Sequence, residues 1–132
     1  MNAKVLVVDD EAEMTTLLRT YLIHEGYEVD TASSAEAALT FLEDQDVDVV
    51  LTDLRMGEMS GLDLVRAIET TRPESRVILM TAFGDVETAI AAIKAGAFYF
   101  VTKPVKLPEV EVLLRQALTE RDLNRENRQL RQ

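Results

Sequence analysis

Val47-Asp48-Val49-Val50-Leu51-Thr52-Asp53 is a near-continuous aliphatic run that ends in a carboxylate. A strand with one face in water alternates apolar and polar residues. A run this unbroken is expected to form a strand covered on both faces, the habit of parallel sheets. Working outward, the same pattern recurs: Lys4–Val8 ends in Asp9 and Asp10, Arg76–Met80 in Thr81, and Phe98–Thr102 in Lys103. Glu28–Thr31 is shorter and more polar, which suits an edge strand.

Helical patterns with their own start and stop signals separate these runs. Glu11–Glu25 closes at Gly26, Ser33 and Glu36 have capping-box spacing, a helix follows Gly61, and Asp85–Ala95 closes at Gly96. A last helix starts near Leu107 and runs long. Strict alternation of strand and helix, joined by right-handed crossovers, predicts an α/β fold with a five-stranded parallel sheet and helices on both faces. The chain has no internal repeat and no low-complexity segment.

Composition narrows the functional classes. The 132 residues amount to one domain, and 47% hydrophobic residues suffice for a full core. No apolar stretch approaches the roughly eighteen residues of a membrane helix, and Met1-Asn2-Ala3-Lys4 has no signal-peptide layout, so a cytoplasmic protein with no membrane partner is expected. Without cysteine there is neither a disulfide framework nor a thiolate metal site. A formal charge of −10 argues against direct nucleic-acid binding by this segment and points to a protein partner or a bound cation.

If the runs lie side by side, their polar ends share one rim. In the strand order 2-1-3-4-5, one of two common orders for such sheets, the first and third strands are neighbours, roughly 4.8 Å apart. Asp9, Asp10 and Asp53 then converge at the switch point. Close carboxylates raise one another's pKa or capture a cation, and a hard divalent ion with oxygen ligands, Mg²⁺ first, answers that need. Thr81 stands about one strand spacing from Asp53. Lys103 stands about two away, roughly 10 Å, a gap its side chain largely spans. A carboxylate nucleophile, a metal and two donors suit a phosphoryl group.

The motifs Val7-Val8-Asp9-Asp10-Glu11, Thr52-Asp53-Leu54-Arg55-Met56 with Gly61 following, Met80-Thr81-Ala82 and Thr102-Lys103-Pro104 together resemble the receiver domain of two-component response regulators, over residues 3–118. The resemblance implies the flavodoxin-like order 2-1-3-4-5, a regulatory phosphoacceptor domain rather than an enzyme, and a sensor histidine kinase as partner. It implies that Asp53 accepts the phosphoryl group, that Asp9, Asp10, Asp53 and the backbone carbonyl of Arg55 hold Mg²⁺, and that Thr81 and Lys103 contact the phosphoryl oxygens. Phe100 takes the place of the aromatic switch residue that responds to Thr81, reshaping the face formed by the fourth helix, fifth strand and fifth helix. Arg55 and Phe83 each lie two residues past a site residue and are expected to tune dephosphorylation by gating the attacking water. The family usually has proline where this chain has Gly57.

Single residues also have plainer readings. Asp10 with Glu13 fits an N-cap and its N3 partner, Thr81 a strand-end threonine, and Lys103-Pro104 a turn with a solvated lysine. Phe98-Tyr99-Phe100 equally suits core packing, His24 a partly buried helix position, and Met56 and Met59 loop packing. Two rival functions share this sheet. A flavodoxin-like redox module needs a hydroxyl- and glycine-rich phosphate loop where Asp9-Asp10-Glu11 stands, and acid there repels a flavin phosphate. An aspartyl phosphatase of the haloacid-dehalogenase type expects a second aspartate two residues after the first, where Arg55 stands.

The charge balance changes near the end. Residues 1–118 carry 10 Lys/Arg against 21 Asp/Glu, net −11, whereas 119–132 carry 4 against 3, net +1. The expected division is a receiver domain over 1–118 and a helical linker over 119–132. Leu123, Asn127 and Leu130 either form one heptad of a parallel coiled coil or belong to a solvated helix end. On the first reading they are the seam of a homodimer, helped by apolar surface near Val110, Leu114 and Leu118. By resemblance the tail is similar to that of sigma-54-dependent, NtrC-like transcriptional activators, which places ATPase and DNA-binding output domains beyond Gln132.

Overall fold

The computed structural model describes residues 2–131, and the side chains of all of these except Phe83 and residues 127–131. In chain order the elements are β1 (Lys4–Val8), α1 (Ala12–His24), β2 (Glu28–Ala32), α2 (Ala35–Asp44), β3 (Val49–Asp53), α3 (Gly61–Thr71), β4 (Arg76–Thr81), a short 3₁₀ turn (Phe83–Asp85), α4 (Val86–Lys94), β5 (Tyr99–Thr102) and α5 (Leu107–Arg131). All strand pairs are parallel, in the order β2-β1-β3-β4-β5. The flavodoxin-like receiver architecture is therefore the observed one.

Alternation along the central strands supplies two cores. Leu6, Val8, Val50, Val77 and Leu79 pack against α2, α3 and α4 through Ala38, Leu42, Leu64, Ile68 and Ala92. Val5, Val7, Val49, Leu51, Ile78 and Met80 pack against α1 and α5 through Leu18, Leu22, Val110 and Leu114. Each fully buried Leu or Ile contributes roughly 1.5–3 kcal/mol relative to exposure, so both sheet faces need their helices. This is why β1, β3 and β4 read as unbroken apolar runs, while β2, at the edge, does not.

Three local expectations shift. The capping box expected at Ser33 and Glu36 does not form, because Ser34 takes the extended N-cap conformation and its Oγ accepts from the Ala37 N–H at 3.0 Å. That places Glu36 at N2, one residue short of the N3 position from which a carboxylate reaches back. A complete box stands instead at Ser60 and Asp63, opening α3. At α1 the N-cap position belongs to Glu11, with no side-chain cap, so Asp10 and Glu13 do not form the capping pair. His24 is exposed rather than partly buried, since it falls on the outer face at the end of α1. Met56 and Met59 do pack against the α2–α3–α4 core.

The far end of α5 is tied down. Val110 and Leu114 are fully buried against the sheet and Leu118 packs beside them, so they are core and not a free surface for a seam. Past Leu118 the helix continues without a break. Arg121, 8% exposed, pairs with Asp48 just before β3, and Asp48 also accepts from the Lys4 N–H at 2.8 Å. Glu120 Oε2 lies 2.6 Å from Arg76 Nε as an ion pair rather than an aligned hydrogen bond, and Arg125 Nη2 lies 3.2 Å from Glu74 Oε2. Charged residues that read as a solvated stretch therefore grip the end of the sheet opposite the carboxylate rim.

Candidate functional site

Backbone hydrogen bonds carry the ladder past the ends of the strands and align the rim. Asp9 N–H donates to Ala32 O at 3.1 Å, Leu54 N–H to Met80 O at 3.0 Å, and Lys103 N–H to Thr81 O at 2.8 Å. Asp9, Asp53 and Lys103 follow the parity of Val7, Leu51 and Val101, the α1–α5 face. Thr81 follows Val77 and Leu79 on the other face.

The carboxylates converge as expected. One oxygen from each of Asp9, Asp10 and Asp53 lies within 4.8 Å of the others, with Asp9 and Asp53 buried and Asp10 exposed. Asp9 Oδ1 accepts from the Glu11 N–H at 2.9 Å, while its buried Oδ2 has no hydrogen-bond partner among the described residues. Burial pushes the Asp9 carboxyl above the usual range; the Glu11 N–H opposes this, the charge of Asp53 adds to it, and Lys103 pulls it back. Lys103 Nζ lies 3.1 Å from Asp53 Oδ2. Burial draws the ammonium down, but the hydrogen bond and charge of Asp53, helped by Asp9 and Glu11, outweigh it and hold Lys103 above its ordinary value. The cluster is thus an acidic pocket with one cation built into it.

Gly61 is part of this geometry. Its N–H donates to Leu54 O at 2.8 Å, closing the loop from β3 back onto itself. A Cβ there would stand 2.6 Å from Asp53 O and 2.9 Å from Leu54 Cα, both backbone atoms. Gly57, on the same loop, has φ +31°, in the left-handed region. Proline is locked near φ −65°, so the loop in this chain has a shape that the family's usual proline does not fit.

Thr81 is fully buried, and its Oγ1 donates to Ala82 O at 3.3 Å. Phe100 is in register with Leu79, two residues before Thr81, so the two site residues share a sheet face on adjacent strands. Phe100 is half-buried against the α2–α3–α4 core, its ring 5.1 Å from that of the exposed Tyr99. Beside it lies an apolar groove of about 480 Å³ lined by Tyr99, Phe100, Pro108, Val112 and Leu113.

Arg55 N–H reaches toward Asp53 Oδ1 at 3.4 Å, but its side chain turns elsewhere. The guanidinium forks onto Asp85, with Nε 3.1 Å from Oδ2 and Nη2 2.8 Å from Oδ1. Asp85 was legible in the sequence only as the start of a helix, because nothing in a linear reading pairs two loops 30 residues apart. The Phe83 side chain lies outside the described residues, as do those of Asn127 and Leu130, while Leu123 is 56% exposed.

Comparison with known proteins agrees with this geometry. The family model for the response regulator receiver domain matches residues 5–115. The chain belongs to that family. It is similar to the regulatory protein AtoC of Escherichia coli strain K12, at 37% identity over 98% of this chain and 28% of that protein. It is also similar to the response regulator protein PilR of Pseudomonas aeruginosa, at 41% identity over 87% of this chain and 26% of that protein. These relatives are regulators of the sigma-54-dependent, NtrC-like kind. The chain spans about a quarter of the length of the curated relatives it matches. Among solved structures, NtrX from Brucella abortus in complex with ADP has a TM-score of 0.93 and 35% identity, covering 100% of this chain and 30% of that one. A receiver domain protein from Clostridium thermocellum has a TM-score of 0.87 and 38% identity, covering 92% and 98%. No helix among the described residues is long and apolar enough to cross a membrane.

Proposed function

We propose that this receiver domain is a phosphorylation-controlled switch in a two-component system, with Asp53 as phosphoacceptor. The observation that carries the reading is the Asp53 carboxylate itself, buried beside Asp9 and Asp10 and held by Lys103 at 3.1 Å. The donor is a phosphohistidine of a sensor histidine kinase: an Asp53 oxygen attacks phosphorus, the new O–P bond forms as the N–P bond breaks, and the imidazole departs. Lys103 is already positioned to receive charge on a phosphoryl oxygen. Thr81 offers its hydroxyl to a second oxygen after a rotation away from Ala82 O, and the space it vacates lies on the face that Phe100 shares.

The donor set fits Mg²⁺. Three carboxylates within 4.8 Å and the unpartnered, buried Oδ2 of Asp9 are hard oxygen ligands without enough protein donors to satisfy them. Asp9, Asp10, Asp53 and the backbone carbonyl of Arg55 would hold the ion. Its chemistry is to neutralise negative charge on the transferring group. Arg55 and Phe83 then tune how long the phosphoryl group survives.

Residues 1–118 form the receiver and 119–132 a helical extension toward ATPase and DNA-binding output domains, so the controlled event is cytoplasmic transcription. A homodimer is part of this reading, with Leu123, Asn127 and Leu130 as its seam. Intact mass after incubation with acetyl phosphate tests the core of the proposal. One phosphoryl addition is expected in wild type with Mg²⁺, and none in chelator or in Asp53→Asn. An equal gain in either control overturns it.

A further inference from the structure

We infer that Asp85 positions Arg55 away from Asp53, and that a phosphoryl group on Asp53 takes Arg55 over and releases Asp85 to cap α4. The inference rests on the phosphoacceptor reading of Asp53 and adds a regulatory exchange at that site. Three observations converge on it. Arg55 is two residues from Asp53, with its N–H already directed at Oδ1, so its side chain is within reach of a group built on that carboxylate. Its guanidinium is nonetheless committed in both directions of its fork to Asp85. Asp85, in turn, occupies the N-cap position of α4 and makes no side-chain cap hydrogen bond.

An aspartate at an N-cap ordinarily accepts from the N–H of N2 or N3, here Glu87 or Thr88. Asp85 has given that role up to hold Arg55. The pair is a loose latch, because the Arg55 side chain is 67% exposed and the Asp85 side chain 20% exposed, and solvated ion pairs contribute little. A phosphoryl group competes well against such a partner: it brings more than one negative charge and three acceptor oxygens, and arginine binds it bidentately. Once Arg55 leaves, the Asp85 carboxylate is free to accept from the Glu87 or Thr88 N–H at the start of α4, so phosphorylation reorders that helix end through a route separate from Thr81 and Phe100.

Beryllofluoride with Mg²⁺ is the probe, read by its affinity and by the amide shifts of Glu87 and Thr88 in the full chain. Asp85→Asn, which keeps a cap acceptor but not the charge that holds Arg55, should tighten beryllofluoride binding several-fold, and Asp85→Ala should do so less because it also loses the cap. Arg55→Ala should weaken it, and the Arg55→Ala/Asp85→Ala double variant should match Arg55→Ala alone, because Asp85 acts only through Arg55. Asp85→Glu should restore wild-type affinity. The Glu87 and Thr88 amides should shift on binding in wild type and stay in place in Asp85→Ala. No tightening by Asp85→Asn, or a double variant whose affinity differs from that of Arg55→Ala alone, overturns the inference while leaving Asp53 as acceptor. Failure of wild type to bind the probe overturns the phosphoacceptor reading and the exchange together.

Discussion

Lys103 Nζ, carried on the loop after β5, reaches past β4 to lie 3.1 Å from Oδ2 of Asp53 on β3. The lysine is a fixed countercharge in a pocket of three carboxylates, and it is in place before any phosphoryl group arrives.

Replacing it should therefore affect chemistry more than folding. Lys103→Met is expected to slow phosphoryl uptake from acetyl phosphate by about 100-fold, the loss typical of one preorganised donor. Mass spectrometry over time measures the rate. Uptake within a factor of about two of wild type would remove Lys103 from the site, since that lies inside the ordinary scatter of such effects.

Asp9 gives the pH dependence. Its carboxyl is raised in the folded chain by burial and by Asp53, so the folded state binds the proton more tightly than the unfolded one. The stabilisation this provides is full below the ordinary carboxylate value and is lost as pH rises through the raised one. In chelator, then, thermal stability should fall as pH climbs from 4 toward neutrality, to the extent that Asp9 controls it. Asp9→Asn should flatten that fall and raise Tm at pH 7. Added Mg²⁺ should stabilise wild type and not the variant.

Gly61→Ala tests the loop beneath the site. The new Cβ meets two backbone atoms inside 3.0 Å, with no flexible side chain to give way. A loss of roughly 2 kcal/mol in urea melts is expected, in the range of backbone strain at special positions. Slower Asp53 phosphorylation should accompany it, because the atom struck is the Asp53 carbonyl. A variant as stable as wild type would mean the loop adapts.

The ion pairs of α5 predict that its extension stabilises the domain. Arg121→Met should cost about 2 kcal/mol, below the 3–5 kcal/mol of a fully buried broken pair because Asp48 keeps its bond from Lys4. Truncation after Leu118 should cost more. Equal urea midpoints for the full and truncated chains would return residues 119–126 to a solvated linker.

For self-association, the exposed apolar residues to test are Leu123 and Val112 rather than Val110 or Leu114. Analytical ultracentrifugation should show a dimer that Leu123→Glu with Leu130→Glu weakens. Val112→Glu separates a contribution from the groove beside Phe100.

The sheet and its rim were legible because they rest on short-range rules: strand runs, their parity, and the polar residue at each end. Asp9, Asp10, Asp53, Thr81 and Lys103 needed only the strand order to be assembled, and the resemblance to receiver domains supplied it. What escaped the sequence was tertiary. One local choice also escaped: Ser34 rather than its neighbour Ser33 caps α2, and the sequence pattern does not choose between adjacent serines. Asp85 meets Arg55 across two loops, and Arg121 meets Asp48 across 73 positions, and a surface-charge reading of those residues has no term for a partner so distant in sequence. Val110 and Leu114 were assigned to a surface because a long helix with charge on several sides does not declare which stripe the sheet covers.

Because α5 is one rod, anchored along the sheet and gripped again at its base, it acts as a pointer. At 1.5 Å per residue, the stretch from Thr119 to Arg131 reaches roughly 20 Å past Leu118, so a tilt of about 10° at the anchor sweeps its tip by roughly 3 Å. A segment joined to that tip would receive a message as an angle, magnified by leverage, and would need no surface of its own to touch Asp53.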